Sequence, residues 1–352
     1  MSDKITLEKL SKVLGLSRNT ISKALNGSPS VTPETRRRVF ELAKELNYKT
    51  FVFDTGDEKT KNVVVAVLST RSPNEQYWTM VLCGIESIIR QKNAILQLKM
   101  LTTHDIVANI LPREITPDSV AGVILIGIFN EKYIQSLIGA GLTVISIDTW
   151  AKSGPGSYPY DVIMPENYHP AYSLTQSVVD GGHSELGFVG DIGLRASIRE
   201  RWNGFRAALS DNGIPLAEEL SITKSQYAAT ESCASFVEPW SRQWFVTLLP
   251  SLPRFPTAFI CGDDSIALNL YAALRELGVK VPQDILITGF DAAPEATILV
   301  PRFSTVYVDK EELGRKAAET LFWRLENKDR PFSLTYISSQ IQLILNQPVK
   351  ND

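Results

Sequence analysis

Four charged side chains occupy positions from which they could bind a polar small molecule. Asp148, Asp263 and Asp291 each follow a short apolar run that predicts a buried strand, and Arg201 lies early in a predicted helix. Ligands of open α/β sheets bind beyond the carboxyl ends of the strands. Carboxylates bond to vicinal hydroxyls, and an arginine holds a hydroxyl pair or an acid. The set therefore favours a polyol or sugar, although the same atoms could bind a purine or an organic acid.

Three large aromatic side chains could complete such a site. Tyr77 and Trp78 open a predicted helix, and Trp150 follows Asp148 by two residues. An aromatic ring stacks on the apolar face of a sugar, although large aromatics are by default core residues. The aspartates also have a second interpretation, because an acid after a strand often caps the next helix. We assign that capping role to Asp264.

A second group of polar residues could read DNA. Arg18, Asn19 and Lys23 lie on the outer face of a short predicted helix, where an arginine can pair with guanine and an asparagine with adenine. A helix, a tight turn containing Gly15 and a polar second helix form a helix-turn-helix arrangement. The alternative interpretation is a small helical domain whose charged face is only solvated.

Three predicted helices position those residues. The first, from about 7 to 14, turns Leu10 and Leu14 inward with Val13 beside them, and Ser17 caps the second. A threonine, a proline and an acid at positions 32–34 start the third helix. The pattern predicts a small three-helix domain at residues 1–48.

The charge is unevenly distributed along the chain. Residues 1–50 carry ten Lys or Arg and five acids, a net charge of +5, whereas the whole chain has −3 and the remainder therefore −8. A basic head is attracted to phosphate, and an acidic body is repelled by it. This distribution favours DNA as the partner of the N-terminal region.

From residue 62 onward, short apolar runs alternate with amphipathic stretches. The runs 63–68, 120–126 and 144–147 are rich in valine, isoleucine and leucine, and helical patterns separate most such runs. Near-continuous apolar strands joined by helices predict parallel sheets buried on both faces, in a doubly wound α/β fold. The runs are too numerous for one sheet of ordinary width, which predicts two lobes.

Size, composition and missing motifs argue against several classes of protein. The 352 residues, 44% of them hydrophobic, suffice for two or three domains. Because no apolar run approaches the roughly 18 residues of a membrane span and the N-terminus lacks an apolar signal region, we expect a cytoplasmic protein without a membrane partner. Three scattered cysteines and three separated histidines predict no metal site, and P-loop, GxSxG and HExxH motifs are missing. We therefore expect neither enzymatic activity nor a cofactor.

The N-terminal segment closely resembles a known DNA-binding headpiece. The stretches TLEKLSKVLGLSRNTISKALNG and VTPETRRRVFELAKELNY are similar to the headpiece of the lactose/galactose-repressor (LacI/GalR) family of bacterial transcription regulators. By this resemblance Arg18, Asn19 and Lys23 read bases, and Leu7 lies near the DNA backbone. The resemblance also implies that five polar residues position phosphates, namely Ser17, Thr20, Ser22, Asn26 and Arg36. Helix capping or packing is the alternative role for Thr20 and Asn26.

The linker at 49–61 departs from the family pattern. Relatives usually carry Arg-Pro-Asn and then a short hinge helix whose leucine wedges into the minor groove. Here Lys49-Thr50-Phe51 stand at its start, and Asp57 stands where the leucine would be. An aspartate beside phosphates is repelled and costly to desolvate. We therefore expect DNA binding without the usual hinge mechanism, with Phe51 or Phe53 either replacing the wedge or packing against the body.

The remainder of the chain resembles the periplasmic-binding-protein-like core of the same family. The matching stretches are YWTMVLCGIES, GGHSELGFVGD, RERWNGFRAAL, FICGDDSIALNLYAALRELGVKVPQDILITGFD and PRFSTVYVDKEELGRKAAETL. The resemblance implies a two-lobed, type I core at 62–347, with lobe one formed by 62–162 and 292–322 and lobe two by 163–290 and 323–346. It places Arg201 and Asp291 at positions that meet the effector, Tyr77 and Trp78 at the cleft mouth, and Asp263 where relatives often have asparagine.

Together these patterns predict an N-terminal three-helix helix-turn-helix domain, an atypical linker and a two-lobed doubly wound α/β core. We expect a ligand-responsive repressor that binds a pseudo-palindromic operator in double-stranded DNA as a homodimer. The predicted effector is a sugar or sugar phosphate bound between the lobes by Tyr77, Trp78, Asp148, Trp150, Arg201, Asp263 and Asp291. Two alternatives are a regulator controlled by a protein partner and a sugar-binding protein with weak DNA binding.

Overall fold

The computed structural model of the chain contains two compact units, Met1–Lys61 and Asn62–Asp352. It describes residues 7–25, 31–45, 62–68, 75–127, 130–151, 158–224, 239–293, 296 and 303–342. The predicted linker at 49–61 and the candidate DNA contact Asn26 lie outside these residues. None of the helices that the structure describes is long and apolar enough to cross a membrane.

The first unit is built from three helices, as the sequence predicts. They are α1 (Leu7–Leu14), α2 (Arg18–Leu25) and α3 (Pro33–Glu45). Leu10, Ile21, Ala24 and Val39 are fully buried at their centre. Val13, which we placed beside the inward face of α1, is 59% exposed.

The second unit contains a six-stranded sheet that is parallel throughout. Its strand order is β10-β5-β4-β3-β1-β2. Every residue of β3, β4 and β5 is buried, as expected for central strands covered by helices on both faces. The strands are β1 (Asn62–Leu68), β2 (Ile95–Leu101), β3 (Gly122–Ile126), β4 (Val144–Ile147), β5 (Asp161–Pro165) and β10 (Leu334–Ile337).

Two smaller sheets complete the strand pairing. β6 (Leu186–Val189), β7 (Ala258–Cys261) and β8 (Leu286–Thr288) form a parallel sheet, and β9 (Thr305–Val308) pairs antiparallel with β11 (Ser339–Gln342). Instead of the predicted strand at 221–223, Ile222 forms a single parallel bridge with Val189. The α/β class predicted from the sequence is thus confirmed.

In the part of the second unit that the structure describes, eight named α-helices flank or connect these strands. The close contact between α4 (Glu75–Gln91) and α11 (Lys310–Glu326) depends on glycine, because a Cβ on Gly84 would collide with the carbonyl oxygen of Glu311, and one on Gly314 with that of Val81. The eight are α4 (Glu75–Gln91), α5 (Thr103–Val107), α6 (Glu131–Gly139), α7 (Tyr168–Asp180), α8 (Ala196–Asp211), α9 (Arg242–Leu248), α10 (Asp264–Glu276) and α11 (Lys310–Glu326).

A buried ion pair ties the end of α11 to the six-stranded sheet. The Arg324 guanidinium donates from Nε and Nη2 to the two Asp161 oxygens at 2.6 and 2.8 Å, and its other N–H groups reach the carbonyls of residues 327, 330 and 331. Asp161 also accepts from the Ser333 amide at 2.8 Å, just before β10. We predicted 323–346 to belong to lobe two, but β10 pairs with β5. On strand pairing, β10 within this segment is part of the six-stranded sheet, and all the lobe boundaries stay a prediction.

A second buried carboxylate lies where α10 meets the chain that follows β8. Asp264 Oδ2 accepts from the Ala293 amide at 2.5 Å, and its Oδ1 accepts from the Thr305 hydroxyl at 2.7 Å. The side chain is fully buried, and Asp291 is nearby. Burial raises the pKa of the Asp264 carboxyl to about 8, and the charge of Asp291 adds to this rise.

We expect Arg324→Met to lower the free energy of unfolding by about 3–5 kcal/mol, because it leaves the Asp161 carboxylate buried without its charge partner. Arg315→Met is the matched control on the same helix, since Arg315 makes partly exposed ion pairs with Glu311 and Glu312. Arg315→Met should lower the free energy of unfolding by less than about 1 kcal/mol. Urea unfolding of both variants gives the comparison, and equal losses would contradict the assignment.

We expect Asp264→Asn to flatten the dependence of stability on pH. Because the folded-state pKa is raised, the stability contributed by the protonated carboxyl is complete below about pH 4 and is lost as pH rises to about 8. Relative to the variant, the wild type should lose up to about 1.4 kcal/mol of unfolding free energy per pH unit in this window. Urea unfolding from pH 5 to pH 9 measures both slopes, and parallel curves would show that Asp264 is ionised in the folded protein.

Candidate functional sites

The outer face of α2 displays the residues predicted to read bases. Arg18, Asn19 and Lys23 are exposed, whereas Ile21 and Ala24 on the opposite face are fully buried. This division follows from the helical repeat of 3.6 residues, because the buried pair and the exposed trio lie on different sides of the helix. The structure therefore presents two cationic side chains and one amide on the exposed side of α2, which suits major-groove contacts.

The residues predicted to position phosphates have more varied surroundings. Ser17 is exposed and caps α2, since its Oγ accepts from the Thr20 amide at 3.0 Å and lies 2.8 Å from the Thr20 hydroxyl. The capping alternative raised for Thr20 thus has a structural basis. Ser22 and Arg36 are half-buried. Leu7 is the first residue of α1, and its side chain, like Asn26, lies outside what the structure describes.

In the second unit, Asp148 links the end of β4 to the beginning of α8. Its Oδ2 accepts from the Ser197 hydroxyl at 2.5 Å, and its Oδ1 accepts from the backbone amides of Thr149 at 2.7 Å and Ser197 at 3.2 Å. Asp148 therefore supplies an acceptor to the first turn of a helix that packs on the other sheet. Its backbone φ is 63°, in the left-handed region.

Asp263 caps α10 and forms an ion pair. Its Oδ1 accepts from the Ile266 amide at 2.9 Å, and its Oδ2 accepts from Arg195 Nη2 at 2.8 Å. We predicted this cap to be Asp264, and the prediction is wrong by one residue because β7 ends at Cys261 and the helix begins at Asp264. Arg195 precedes α8 and also forms a β-bridge with Trp150.

Arg201 and Asp291 form the most buried polar pair of the site. Arg201 Nη2 donates to Asp291 Oδ1 at 3.3 Å, its Nη1 donates to the Gly262 carbonyl at 2.6 Å, and its Nε donates to Asn167 Oδ1 at 3.0 Å. The guanidinium also stacks 3.6 Å from the centre of the Phe290 ring. Burial raises the pKa of the Asp291 carboxyl, and the Arg201 charge opposes this rise. Asp291 has a backbone φ of 102°.

Two aromatic residues of α4 lie beside this pair. The rings of Tyr77 and Trp78 meet edge to face with centroids 4.8 Å apart. Burial raises the pKa of the Tyr77 phenol, and the nearby Asp291 charge raises it further. Lys310 Nζ lies 5.6 Å from the centre of the Tyr77 ring and donates to the Asp291 carbonyl. The side chains of Tyr77, Trp78, Asp148, Trp150, Arg195, Ser197, Arg201, Asp263, Asp291 and Lys310 are called the intersheet cluster below.

Three members of this cluster, and Asn167 beside it, carry no obvious signal in the sequence. Arg195, Ser197 and Lys310 are distant in sequence from the aspartates that they contact, and Asn167 is one of many polar residues near a predicted helix start. Arg195 and Ser197 flank the start of α8, so a search for helix N-termini facing a predicted site would have found them. Lys310 follows a predicted strand, and only its burial of 98% marks it as unusual.

The intersheet cluster has the chemistry of a polar binding site. It presents carboxylates, guanidinium groups and aromatic rings from both sheets, and most of its charged side chains are buried, an arrangement suited to a ligand with several hydroxyl groups. Among the described residues, no group of three or more His, Cys, Asp or Glu side chains is placed to hold a metal ion.

Both the N-terminal unit and the larger second unit contain segments that match known protein families. The profile of a family described as "Bacterial regulatory proteins, lacI family" matches residues 9–50, and that of a "Periplasmic binding protein-like domain" matches residues 175–342. The HTH-type transcriptional repressor PurR of Actinobacillus pleuropneumoniae serotype 3 is 23% identical over 98% of both chains. The ribose operon repressor of Haemophilus influenzae is 26% identical over 93% of this chain and 94% of its own.

Solved structures share the fold of the whole chain or of its larger unit. A lac repressor dimer bound to operator and the anti-inducer ONPF has a TM-score of 0.64 at 19% identity, covering 99% of both chains. A LacI family regulator from Enterococcus faecium with bound ribose has a TM-score of 0.63 at 20% identity, covering 82% of this chain and all of its own. The complex of the regulator CelR with cellobiose has a TM-score of 0.63 at 21% identity, covering 96% and 98%.

The matched family consists of DNA-binding regulators, which confirms the prediction that the chain is not an enzyme. The exposed polar face of α2, the doubly wound core and the polar cluster between its sheets all agree with this assignment. The chain therefore contains a segment of the lacI family of bacterial regulatory proteins at residues 9–50 and a periplasmic binding protein-like domain at residues 175–342, the two parts of a helix-turn-helix transcriptional repressor with a ligand-sensing core.

Proposed function

We propose that this repressor acts in the cytoplasm, binds a pseudo-palindromic operator as a homodimer, and responds to a sugar or sugar phosphate held by the intersheet cluster. The observation that carries the proposal is the buried Arg201–Asp291 pair, which lies between two sheets beside Tyr77. A paired arginine and carboxylate recognise vicinal hydroxyls, and the neighbouring aromatic ring suits the apolar face of a sugar.

The relatives agree with this effector class. One is named for the ribose operon, and two structural neighbours contain ribose or cellobiose. In this chain Asp148 and Trp150 belong to the six-stranded sheet side of the cluster, whereas Arg201 and Asp263 belong to the three-stranded sheet side. A ligand that contacts both groups would favour one arrangement of the two sheets over others, which is the thermodynamic basis of an effector response.

A homodimer is supported by the edge of the six-stranded sheet. β2 is one of its two edge strands, and Leu98 and Met100 on this strand are 53% and 52% exposed. An apolar edge strand of this kind is a common site of association between chains. A dimer would present two copies of α2, and so would match an operator with two-fold symmetry.

DNA recognition by α2 is tested by selection from a random duplex library with the full-length protein. We expect a palindromic consensus, and Arg18→Ala should weaken binding to it by about 10- to 100-fold, the cost of losing one bidentate base contact. Arg37→Ala is the control, because Arg37 is an exposed arginine on α3 that pairs with Glu41. Recovery of no consensus would favour a sugar-binding protein with weak DNA affinity.

Effector binding is tested by melting the protein with a panel of sugars, sugar phosphates, nucleobases and organic acids. A ligand at about 100 times its dissociation constant adds about 2.7 kcal/mol to the folded state, which shifts the melting temperature measurably. Arg201→Ala should abolish that shift and the release of operator, while leaving operator affinity unchanged. Arg206→Ala, an exposed arginine on the same helix, should retain both. A panel without any shift would favour control by a protein partner.

A further inference from the structure

A chain of hydrogen bonds runs from Arg201 to the edge of the six-stranded sheet. Arg201 Nε donates to Asn167 Oδ1 at 3.0 Å, and Asn167 Nδ2 donates to Glu200 Oε2 at 2.8 Å. Glu200 Oε1 accepts from the Tyr336 hydroxyl at 2.6 Å. Four side chains are thus connected in series. Tyr336, at the end of this series, is 45% exposed, whereas Asn167 is fully buried.

The first link fixes the plane of the guanidinium. The single N–H at Nε lies in that plane, so a bond from Nε to a fixed acceptor sets how Nη1 and Nη2 are directed. In Arg201 those two groups reach the Gly262 carbonyl and Asp291. The position of the Asn167 oxygen therefore determines how Arg201 faces the intersheet cluster.

The second link fixes the orientation of the Asn167 amide. Asn167 Nδ2 donates both to Glu200 and to the Pro165 carbonyl, at 2.8 and 2.7 Å. If the amide turned over, its oxygen would face these two acceptors, and its NH2 group would face the Arg201 donor. The Glu200 carboxylate thus keeps the oxygen of Asn167 directed at Arg201.

The third link attaches Glu200 to the other sheet. Glu200 and Arg201 are neighbours on α8, and they project about 100° apart around the helix, so they reach different surroundings. Tyr336 lies on β10, opposite Met164 of β5, and β5 ends at Pro165. Tyr336 and the Pro165 carbonyl that holds Asn167 are therefore fixed to each other by strand pairing.

We infer that Glu200 and Tyr336 are positioning residues, which hold Arg201 in its ligand-binding orientation through Asn167 without contacting the ligand. The inference rests on the proposed function, because it assumes that Arg201 meets the effector. Beyond the proposed function, we infer that the orientation of Arg201 depends on the hydrogen bond between Glu200 on α8 and Tyr336 on β10. Any change in that hydrogen bond would alter ligand affinity from outside the intersheet cluster.

The test observes Arg201 itself, without a ligand. In full-length protein labelled with 15N-arginine, the Nε–H signal of Arg201 is identified by its loss in Arg201→Lys, and its exchange with water is measured. Tyr336→Phe and Glu200→Ala should shift this signal and speed its exchange about fivefold or more, the factor expected for one ordinary hydrogen bond. Glu200→Gln should restore the wild-type signal, because its amide can accept from Asn167 and donate to Tyr336.

Tyr172→Phe provides the matched control. Tyr172 also donates to a carboxylate of α8, Asp211 Oδ2 at 3.0 Å, but this bond has no connection to Arg201. An Arg201 signal unchanged in both Tyr336→Phe and Glu200→Ala would overturn the inference, and so would an equal change in Tyr172→Phe. Failure of the wild-type protein to bind any sugar of the panel would instead contradict the proposed function, and the NMR result would still decide the positioning role.

Discussion

Arg201 is buried between two sheets, so each of its N–H groups needs a hydrogen-bond acceptor within the protein. This requirement is the main constraint on the arrangement of the second unit. Arg201 meets it with the carbonyl at the end of β7, the carboxylate after β8 and the amide that follows β5. The face of Phe290 covers its remaining side. A buried charge without partners would lower the stability of the fold by several kcal/mol. The strands β5, β7 and β8 must therefore end close to one another, around the guanidinium.

The same constraint explains why the cluster contains residues from both sheets. Asp148 on the six-stranded sheet side accepts from the first turn of α8, and the backbone of Arg195, whose side chain pairs with the cap of α10, forms a bridge with Trp150, so polar contacts join residues of the two sheets. A ligand that replaces or adds to these bonds acts on the contact between the sheets as well as on its own site. If the effector binds at this cluster, as we propose, its binding and the arrangement of the core are linked through shared polar atoms.

Much of this fold was predictable because its patterns are local. The inward faces of α1 and α2, the exposed trio Arg18, Asn19 and Lys23, and the buried strands follow from periodicity and from runs of apolar residues. Aspartates at strand ends were also identified, since strand ends are visible as the end of an apolar run. The structure places Asp148, Asp263 and Asp291 together in one cluster, as their positions suggested.

The remaining features depend on contacts between segments distant in sequence, or on the position of a strand end to within one residue. Whether Asp263 or Asp264 caps α10 depends on where β7 stops, and an apolar run does not define that residue. The pairing of β10 with β5 is fixed by the contact of Arg324 with Asp161, which are 163 positions apart. The roles of Asn167 and Lys310 likewise arise from partners that no sequence spacing reveals.

The backbone at Asp148 and Asp291 restricts which side chains these two positions of the cluster can carry, and so how the proposed ligand specificity could change during evolution. Their φ angles of 63° and 102° lie where side chains other than those of glycine, asparagine and aspartate are strained. Bulky or β-branched replacements at these two positions would distort the main chain before they altered recognition. Drift in specificity should therefore concentrate at neighbouring members of the cluster with ordinary backbone angles, such as Tyr77 and Lys310, while the two aspartates vary only within a narrow set.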